Sequence, residues 1–572
     1  MKLNEISIAN FGPIGPEGCR IKIDNIVILI GPNNVGKSTI LDAYELFASS
    51  GEAVDSSRFH GKENSQPITI EGEFTDIGDE DEKKFSKWIF KDAEDGIKKA
   101  KFRWKWDKPG ADGIKESWDD SEKKWITGGA GGWDSILSSR IPHPIRIRAT
   151  DSHDKTEKVV VGLLTDAIKA KIKSNAGSTK DILDQIAKLT DQLGQELKVE
   201  TEKVCNAISK KVQTVFPSYE ISIKASAGDF DAEKVVGGGS FVSVNNGGSE
   251  AALSAQGSGM QRTFLWSAIS ALAEEGKIKK GKTPVKAEKS KILLIDEPEA
   301  FLHPPLIRLA RRSLYDLADI DGWQVMAATH SPVFIDVSKP HTTIVSVRFK
   351  ASTKSFSVQD DTFDSDQRKN LQMIRACHPT VNEFFFAEKV ILVEGETEAI
   401  VLNHLFEKEV NAHEVIVLNC LGKANLATFA KILNKFGTPY VIVHDADSPK
   451  IKTKKGVQAN GAWSENKKIF AVIQDYKNKE GAAPQIVTSV PDFERHYFGE
   501  LVEKDKPYHA YQKVTDEQFQ KEAGYKKLVE LKDFILKGDG PAFTKDMDDM
   551  CERLLSWVGV NALEKEEVWE IN

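Results

Sequence analysis

The chain has 572 residues, of which 40% are hydrophobic and 29% charged, with a formal net charge of −8. That balance excludes a disordered chain, and no apolar run approaches the roughly 18 to 20 residues of a membrane helix, so no membrane association is expected. A net negative charge neither advertises nucleic-acid binding nor excludes it, because local basic patches and bound cations outweigh the total.

The length suits about three to four domains. MKLNEISIANF carries no apolar signal core, so a cytoplasmic protein is expected. The five cysteines at 19, 205, 377, 420 and 551 lack CxxC or Cys/His spacing, which points to reduced thiols and no zinc site.

The first chemical signal is GPNNVGKS, Gly31 to Ser38, between an expected strand (Ile26–Ile30) and an expected helix, STILDAYELF. In that context the turn and the helix N-terminus present N–H groups to the β- and γ-phosphates of ATP. Gly31 and Gly36 let the backbone approach, with Asn33 and Asn34 between them; Lys37 neutralises charge, and Ser38, next to Thr39, offers a hydroxyl to Mg²⁺. The alternative is a Gly/Asn-rich turn that matches by chance.

Residues 66–150 read as β-rich, with PITIEGEF and KFRWKW alternating and GGAGGW at 128–133 as a flexible turn. KFRWKW could stack on or screen a nucleic-acid strand, but its alternation favours a half-buried strand with a solvated basic face. Residues 158–215 read as helical: Ile182, Ile186, Leu189, Leu193 and Leu197, then Val204, Ile208 and Val212, recur at three- and four-residue spacing. Such a stripe is core or a partner seam, and its place between loops favours a dimerisation insert. LSAQGSGMQR then opens a helix with Ser258 and Gly259 at its N-terminus, a second set of donors for an anion. GKIKKGKTPVKAEK reads as a solvated loop.

KILLIDEPEAFLHP is an apolar strand ending in Asp296 and Glu297. A carboxylate on a strand end beside a phosphate loop can hold the Mg²⁺ shell, and its neighbour can polarise water, so Asp296 is assigned to metal and Glu297 to general base. One more apolar strand, WQVMAA, leads to ATHSP and places His330 where a γ-phosphate sensor would sit; taken alone it reads as an ordinary loop histidine.

In this order the four segments resemble the ATP-binding cassette (ABC) ATPases, in the branch of chromosome-maintenance and recombination-repair ATPases. GSGMQR matches that family's signature at Ser258, Gly259, Gln261 and Arg262, with Met260 in place of the second glycine, and Gly12 of IANFGPI stands where many relatives carry a basic residue. The resemblance implies that the signature of one subunit closes on the nucleotide of another, hence a homodimer or higher homo-oligomer.

After residue 387 the pattern restarts as a compact α/β unit: KVILVEG, EVIVLNCLG, YVIVHDAD and PQIVTSVP are short apolar runs separated by helical stretches. Carboxylates fall at the strand ends, where open α/β sheets build sites. Glu394 ends the first run and Glu398 lies one helical turn on; Asp445 and Asp447 end the third with the spacing of one face of an extended segment. Clustered acids repel unless cations neutralise them, which points to Mg²⁺ or Mn²⁺. Surface acids at a helix start are the alternative; that fits Glu396 well, and Asp445 and Asp447 poorly. SPKIKTKKGVQ follows at once, and Lys450, Lys452, Lys454 and Lys455 read equally as a DNA-backbone clamp or a solvated loop.

This unit resembles the Toprim domain: Glu394 and Gly395 match its invariant glutamate and glycine, and Asp445-Ala446-Asp447 its D-x-D motif. An ABC ATPase followed by Toprim resembles the overcoming-lysogenization-defect (OLD) nucleases, a family that includes the Gabija anti-phage nuclease subunit. The resemblance implies an α/β chain: an ABC-type ATPase in two parts (1–157 and 216–380), an inserted helical dimerisation domain (158–215), and a C-terminal Toprim domain (387–572). It makes Glu398 the extra glutamate of a two-metal site, Glu494 a further ligand with Asp492 as its alternative, and Lys506 the stabiliser of the pentavalent phosphate with Lys504 as its alternative.

The implied activity is an ATP-regulated, divalent-metal-dependent DNA endonuclease or nickase in anti-phage defence, its two ions about 3.5 to 4 Å apart. A non-cleaving DNA-clamping ATPase and a nuclease acting on RNA are the alternatives. A helicase-like or other defence partner, as in the Gabija branch, is left open by the chain itself.

Overall fold

The computed structural model describes residues 1–49, 51–62, 66–93, 95–128, 140–149, 151, 155, 205–214, 218–224, 241–246, 248–279, 290–336, 339, 341–348, 353–357, 379–407, 415–480, 484–502, 504–537, 544–561 and 567–569. They form two compact units, Met1–Phe334 with His341–Thr353, and Ile335–Pro340 with Lys354–Asn572. Among them no helix is long and apolar enough to cross a membrane, and Cys19, Cys205, Cys420 and Cys551 form no disulfide.

In the first unit the strand Ile26–Ile30 is buried along its whole length, the pattern of a parallel strand covered on both faces. It lies between Thr342–Val347 and Trp323–Ala328, and Lys291–Asp296 and then His143–Ile147 extend the sheet, each of these four pairings parallel. A second, antiparallel sheet runs Cys19–Lys22, Lys2–Ala9, Ile68–Thr75, Lys98–Trp106, Ile114–Asp119 and Lys124–Thr127. The helix Lys37–Phe47 packs into the core they share: its Ile40, Leu41, Tyr44 and Phe47 join Val27 and Leu29 of one sheet and Ile6, Phe74 and Trp104 of the other. Each such buried side chain contributes about 1.5 to 3 kcal/mol.

KFRWKW is the half-buried strand its alternation predicts. Trp104 and Trp106 are 1% and 0% exposed and donate their indole N–H groups to the carbonyls of Phe47 and Glu52, so neither can stack on a base. The basic face is paired as well: Lys101 with Glu73, Arg103 with Glu71 and Glu116, and Lys105 with Asp107.

Of the predicted dimerisation insert, only 205–214 falls among the described residues. It is helical from 205 to 213, and Ile208 and Val212 are buried as the spacing requires. The rest of that stripe, the GGAGGW turn beyond 128 and most of the lysine-rich stretch before Lys291 lie outside the described residues.

The second unit is built on four parallel strands in the order Val415–Asn419, Lys389–Val393, Tyr440–Asp445 and Gln485–Ser489. The chain leaves Lys389–Val393 towards one neighbour and returns on its other side. The carboxyl ends of Lys389–Val393 and Tyr440–Asp445 therefore flank the crevice where open sheets bind ligands. SPKIKTKKGVQ folds as a hairpin, Lys450–Thr453 with Gly456–Ala459, and Glu567–Val568 pairs along its first strand.

Candidate functional site

The phosphate loop follows directly from the sheet. At Gly31 (φ 141°) a Cβ would stand 2.1 Å from the Val347 carbonyl oxygen, so only glycine fits where the loop leaves the sheet. Gly36 (φ 109°) precedes the helix Lys37–Phe47, whose first N–H groups receive no side-chain cap. Lys37 is buried and donates to the carbonyls of Gly31 (2.8 Å) and Pro32 (2.7 Å). Asn33, Asn34 and Ser38 are exposed and Thr39 is half-buried.

Asp296 ends its strand, and Glu297 (φ 46°) turns the chain while donating its N–H to Ala328. Burial lowers the Lys37 pKa against the opposing charges of Asp296, Glu297 and Glu299; burial and then the Lys37 charge lower that of His330, against Glu297 and Asp296. The charges of Asp296 and Glu297 thus reach both Lys37 and His330, which lie far apart in the chain. Gly259, in the first turn of the helix Ser258–Lys279, lies near the turn after Asp296: a Cβ on it would be 3.8 Å from the Phe301 carbonyl oxygen. The remainder of that motif braces the fold. Met260 is buried, Gln261 donates to the Gln256 carbonyl (2.7 Å), and Arg262 to those of Arg148 and Ala149 (3.2 Å each).

Sequence reasoning missed two supports of this site. Glu299, whose pKa burial raises, accepts hydrogen bonds from the Thr329 hydroxyl and the His330 N–H, both at 2.7 Å, and so fixes the histidine loop. Arg146 is buried and places its guanidinium between Asp42 (3.1 Å) and Asp296 (3.4 Å). The signal for Glu299 was its place in DEPE, two residues beyond Glu297; for Arg146 it was a charge between Ile145 and Ile147 in a strand.

In the second unit, Glu394 immediately follows its strand and Asp445 ends the neighbouring one. Glu394 Oε2 and Asp445 Oδ1 are buried without a hydrogen-bond partner. Burial pushes Glu394 up to about 7, with Lys423 opposing and Asp447 and Glu398 adding; it drives Asp445 well up too, reinforced by Glu398, Glu394, Asp447 and Asp492. Glu398 is buried and accepts the Gly395 N–H at 3.1 Å across the first helical turn, while burial and Glu494 raise its pKa. Asp447 (φ 61°) is held by the ammonium of Lys423, a residue absent from the sequence reading. Glu396 is exposed, as a surface acid should be.

The buried Glu494 pairs with Lys506 at 3.1 Å, whereas Lys504 is exposed. Asp492 is taken by Arg495, which lies over the rings of Trp557 (5.3 Å) and Trp569 (5.9 Å). On the hairpin, Lys452, Lys454 and Lys455 are exposed and Lys450 half-buried.

As the side chains stand, no three His, Cys, Asp or Glu groups among the described residues converge on a single point fit for an ion. The donor set nevertheless suits a hard divalent cation, because oxygen ligands are what such ions take and two buried carboxylate oxygens have no other partner.

A phosphate-loop ATPase unit followed by an acidic α/β unit is the class of protein that this fold and these sites define. The chain belongs to the family described as "AAA domain, putative AbiEii toxin, Type IV TA system", which matches residues 26–336, and residues 385–447 match "Overcoming lysogenization defect protein-like, TOPRIM domain". The chain is similar to the Old nuclease of Escherichia phage P2, 25% identical over 471 residues that cover 78% of this chain and 77% of that protein. It is likewise similar to endonuclease GajA of Bacillus cereus, 24% identical over 485 residues, 80% of this chain and 77% of that one. A shorter stretch of 166 residues, 28% of this chain and 31% of the relative, is 31% identical to the OLD nuclease of Thermus scotoductus. Among solved structures, an Smc head bound to the C-winged helix domain of ScpA aligns with a TM-score of 0.40 at 16% identity, covering 62% of this chain and 98% of that one.

Proposed function

We propose that the protein is an ATP-regulated, Mg²⁺- or Mn²⁺-dependent DNA endonuclease or nickase that acts in the cytoplasm in anti-phage defence, as a homodimer or higher homo-oligomer. The nuclease names of relatives spanning most of the chain support the reaction class. The observation that carries the assignment to the acidic site is the pair of buried, unpartnered oxygens on Glu394 and Asp445, at the ends of adjacent strands at the sheet's switch point.

In this reading Glu394, Glu398, Asp445, Asp447 and Glu494 hold the divalent cations. Asp492, paired with Arg495, is the alternative to Glu494. Bound there, the cations would lower the pKa of water and neutralise the phosphodiester. Lys506, beside Glu494, stabilises charge on the phosphate, and Lys450, Lys452, Lys454 and Lys455 track the DNA backbone through salt-sensitive contacts. In the ATPase, Gly31, Asn33, Asn34, Gly36, Lys37, Ser38 and Thr39 cradle the nucleotide. Asp296 and Ser38 hold its Mg²⁺, Glu297 polarises water, His330 senses the γ-phosphate, and Ser258 and Gly259 close on the nucleotide of the partner subunit. Turnover changes the state of the dimer and gates DNA access rather than driving cleavage.

The test is nicking of supercoiled plasmid with Mg²⁺ or Mn²⁺, with and without ATP, by the native protein, Asp445→Ala and Lys37→Ala. The reading requires Asp445→Ala to lose nicking while keeping ATP turnover, and Lys37→Ala to change the nucleotide dependence. A native protein that hydrolyses ATP but cuts DNA with neither metal would favour a DNA-clamping ATPase; preferential cutting of RNA in competition would favour an RNA nuclease.

A further inference from the structure

The acids of this site are not equivalent, and a buried lysine is one reason. Lys423 is the first residue of the helix Lys423–Phe436 and follows Gly422, whose φ of 116° turns the chain into the site. Its side chain is only 4% exposed, and its ammonium bonds both the Asp447 carboxylate and the Asp445 main-chain carbonyl. Lysine is almost never buried this far unless paired, and here its partner is an acid of the cluster itself. Glu398 is engaged by the Gly395 N–H, and Glu394 and Asp445 are left with the unpartnered oxygens.

We propose that Lys423 is a resident cation of the acidic site: it occupies Asp447, so that the first divalent ion is held by Glu394 and Asp445 and a second is accepted only as Lys423 releases Asp447. The inference rests on the metal-dependent reading above and goes beyond it by ranking the ligands. An ammonium and a divalent ion compete for the same carboxylate oxygen. A charge-assisted hydrogen bond of this kind weakens the later ion by about tenfold or more. Lys423 thus acts through Asp447 as a positioning residue.

The experiment is a Mn²⁺ titration of the full-length, nucleotide-free protein, with free Mn²⁺ read by electron paramagnetic resonance. A Glu394→Gln, Asp445→Asn double variant reports ions bound elsewhere in the chain. Above that background the native protein should show one tight and one weak site. Lys423→Met should tighten the weak site about tenfold and leave the tight one in place; Asp447→Asn should remove the weak site and keep the tight one. The proposal is overturned if Asp447→Asn abolishes the tight site, or if Lys423→Met, with native circular dichroism and melting temperature, leaves the weak site unchanged or weaker. Should Lys423→Met fail to fold, Asp447→Asn decides alone. If the native protein binds no more Mn²⁺ than the double variant, the metal-dependent reading itself fails.

Discussion

Lys37 and Lys423 hold the same station in the two units. Each opens a helix, each follows a glycine with positive φ (109° at Gly36, 116° at Gly422), and each is buried, at 7% and 5% exposed. They differ in what they touch. Among the described residues Lys37 donates to main-chain carbonyls alone, whereas Lys423 also holds a carboxylate. Neutral carbonyl bonds are readily exchanged for a phosphate, and a charge-assisted bond to a fixed acid is not. The same local geometry therefore leaves one lysine available to an incoming anion and commits the other to an internal one.

Asp445→Asn should lower plasmid cleavage by at least about 100-fold with ATP turnover intact, since even supporting residues of metal sites are worth about 10- to 100-fold; retained cleavage would place the nuclease chemistry elsewhere. The mirror experiment is Lys37→Ala, for which we expect ATP turnover to fall about 100-fold, the weight of a charge aimed at the transferred phosphate. Its Mn²⁺ binding at the acidic site should be unchanged, and a parallel loss would mean that the two sites are not separable.

A smaller effect sharpens the first site. Arg146→Met removes the guanidinium between Asp42 and Asp296 and should destabilise the first unit by about 2 kcal/mol, less than a fully buried pair because both acids are partly exposed. Thermal unfolding checks it, and an unchanged melting temperature would make Arg146 incidental. The smallest effect is expected on the hairpin. Replacing Lys452, Lys454 and Lys455 with alanine should reduce the slope of log affinity against log salt by about 0.9 for each duplex-DNA phosphate that the hairpin no longer neutralises, with the fold unchanged. An unaltered slope returns the hairpin to a solvated surface.

Much of the candidate nucleotide site was legible because each of its motifs is contiguous, although the motifs lie far apart in the chain. Gly31 to Ser38 carry the loop conformation in their own order, and Asp296, Glu297 and His330 each sit just beyond an apolar run that reads as a buried strand. Trp104 and Trp106 were legible for the same reason: alternation puts them on the inner face of the sheet. The lysine stretch after Asp447 was less so. Clamp and loop were both open, and the observed hairpin is completed by Glu567–Val568 from the far end of the chain.

The sequence by itself determined which residues lie at strand ends and helix starts, because hydrophobic periodicity and glycine conformation are local properties. Only the tertiary structure decided which charges neutralise which. Arg146 meets Asp296 across 150 residues, and Lys423 meets Asp447 across 24. No spacing rule encodes those meetings, since they depend on which strands become neighbours in the sheet. Burial then sets the outcome: a carboxylate oxygen taken out of water needs a partner, and among the acids of this site Glu394 and Asp445 each keep one buried oxygen without one.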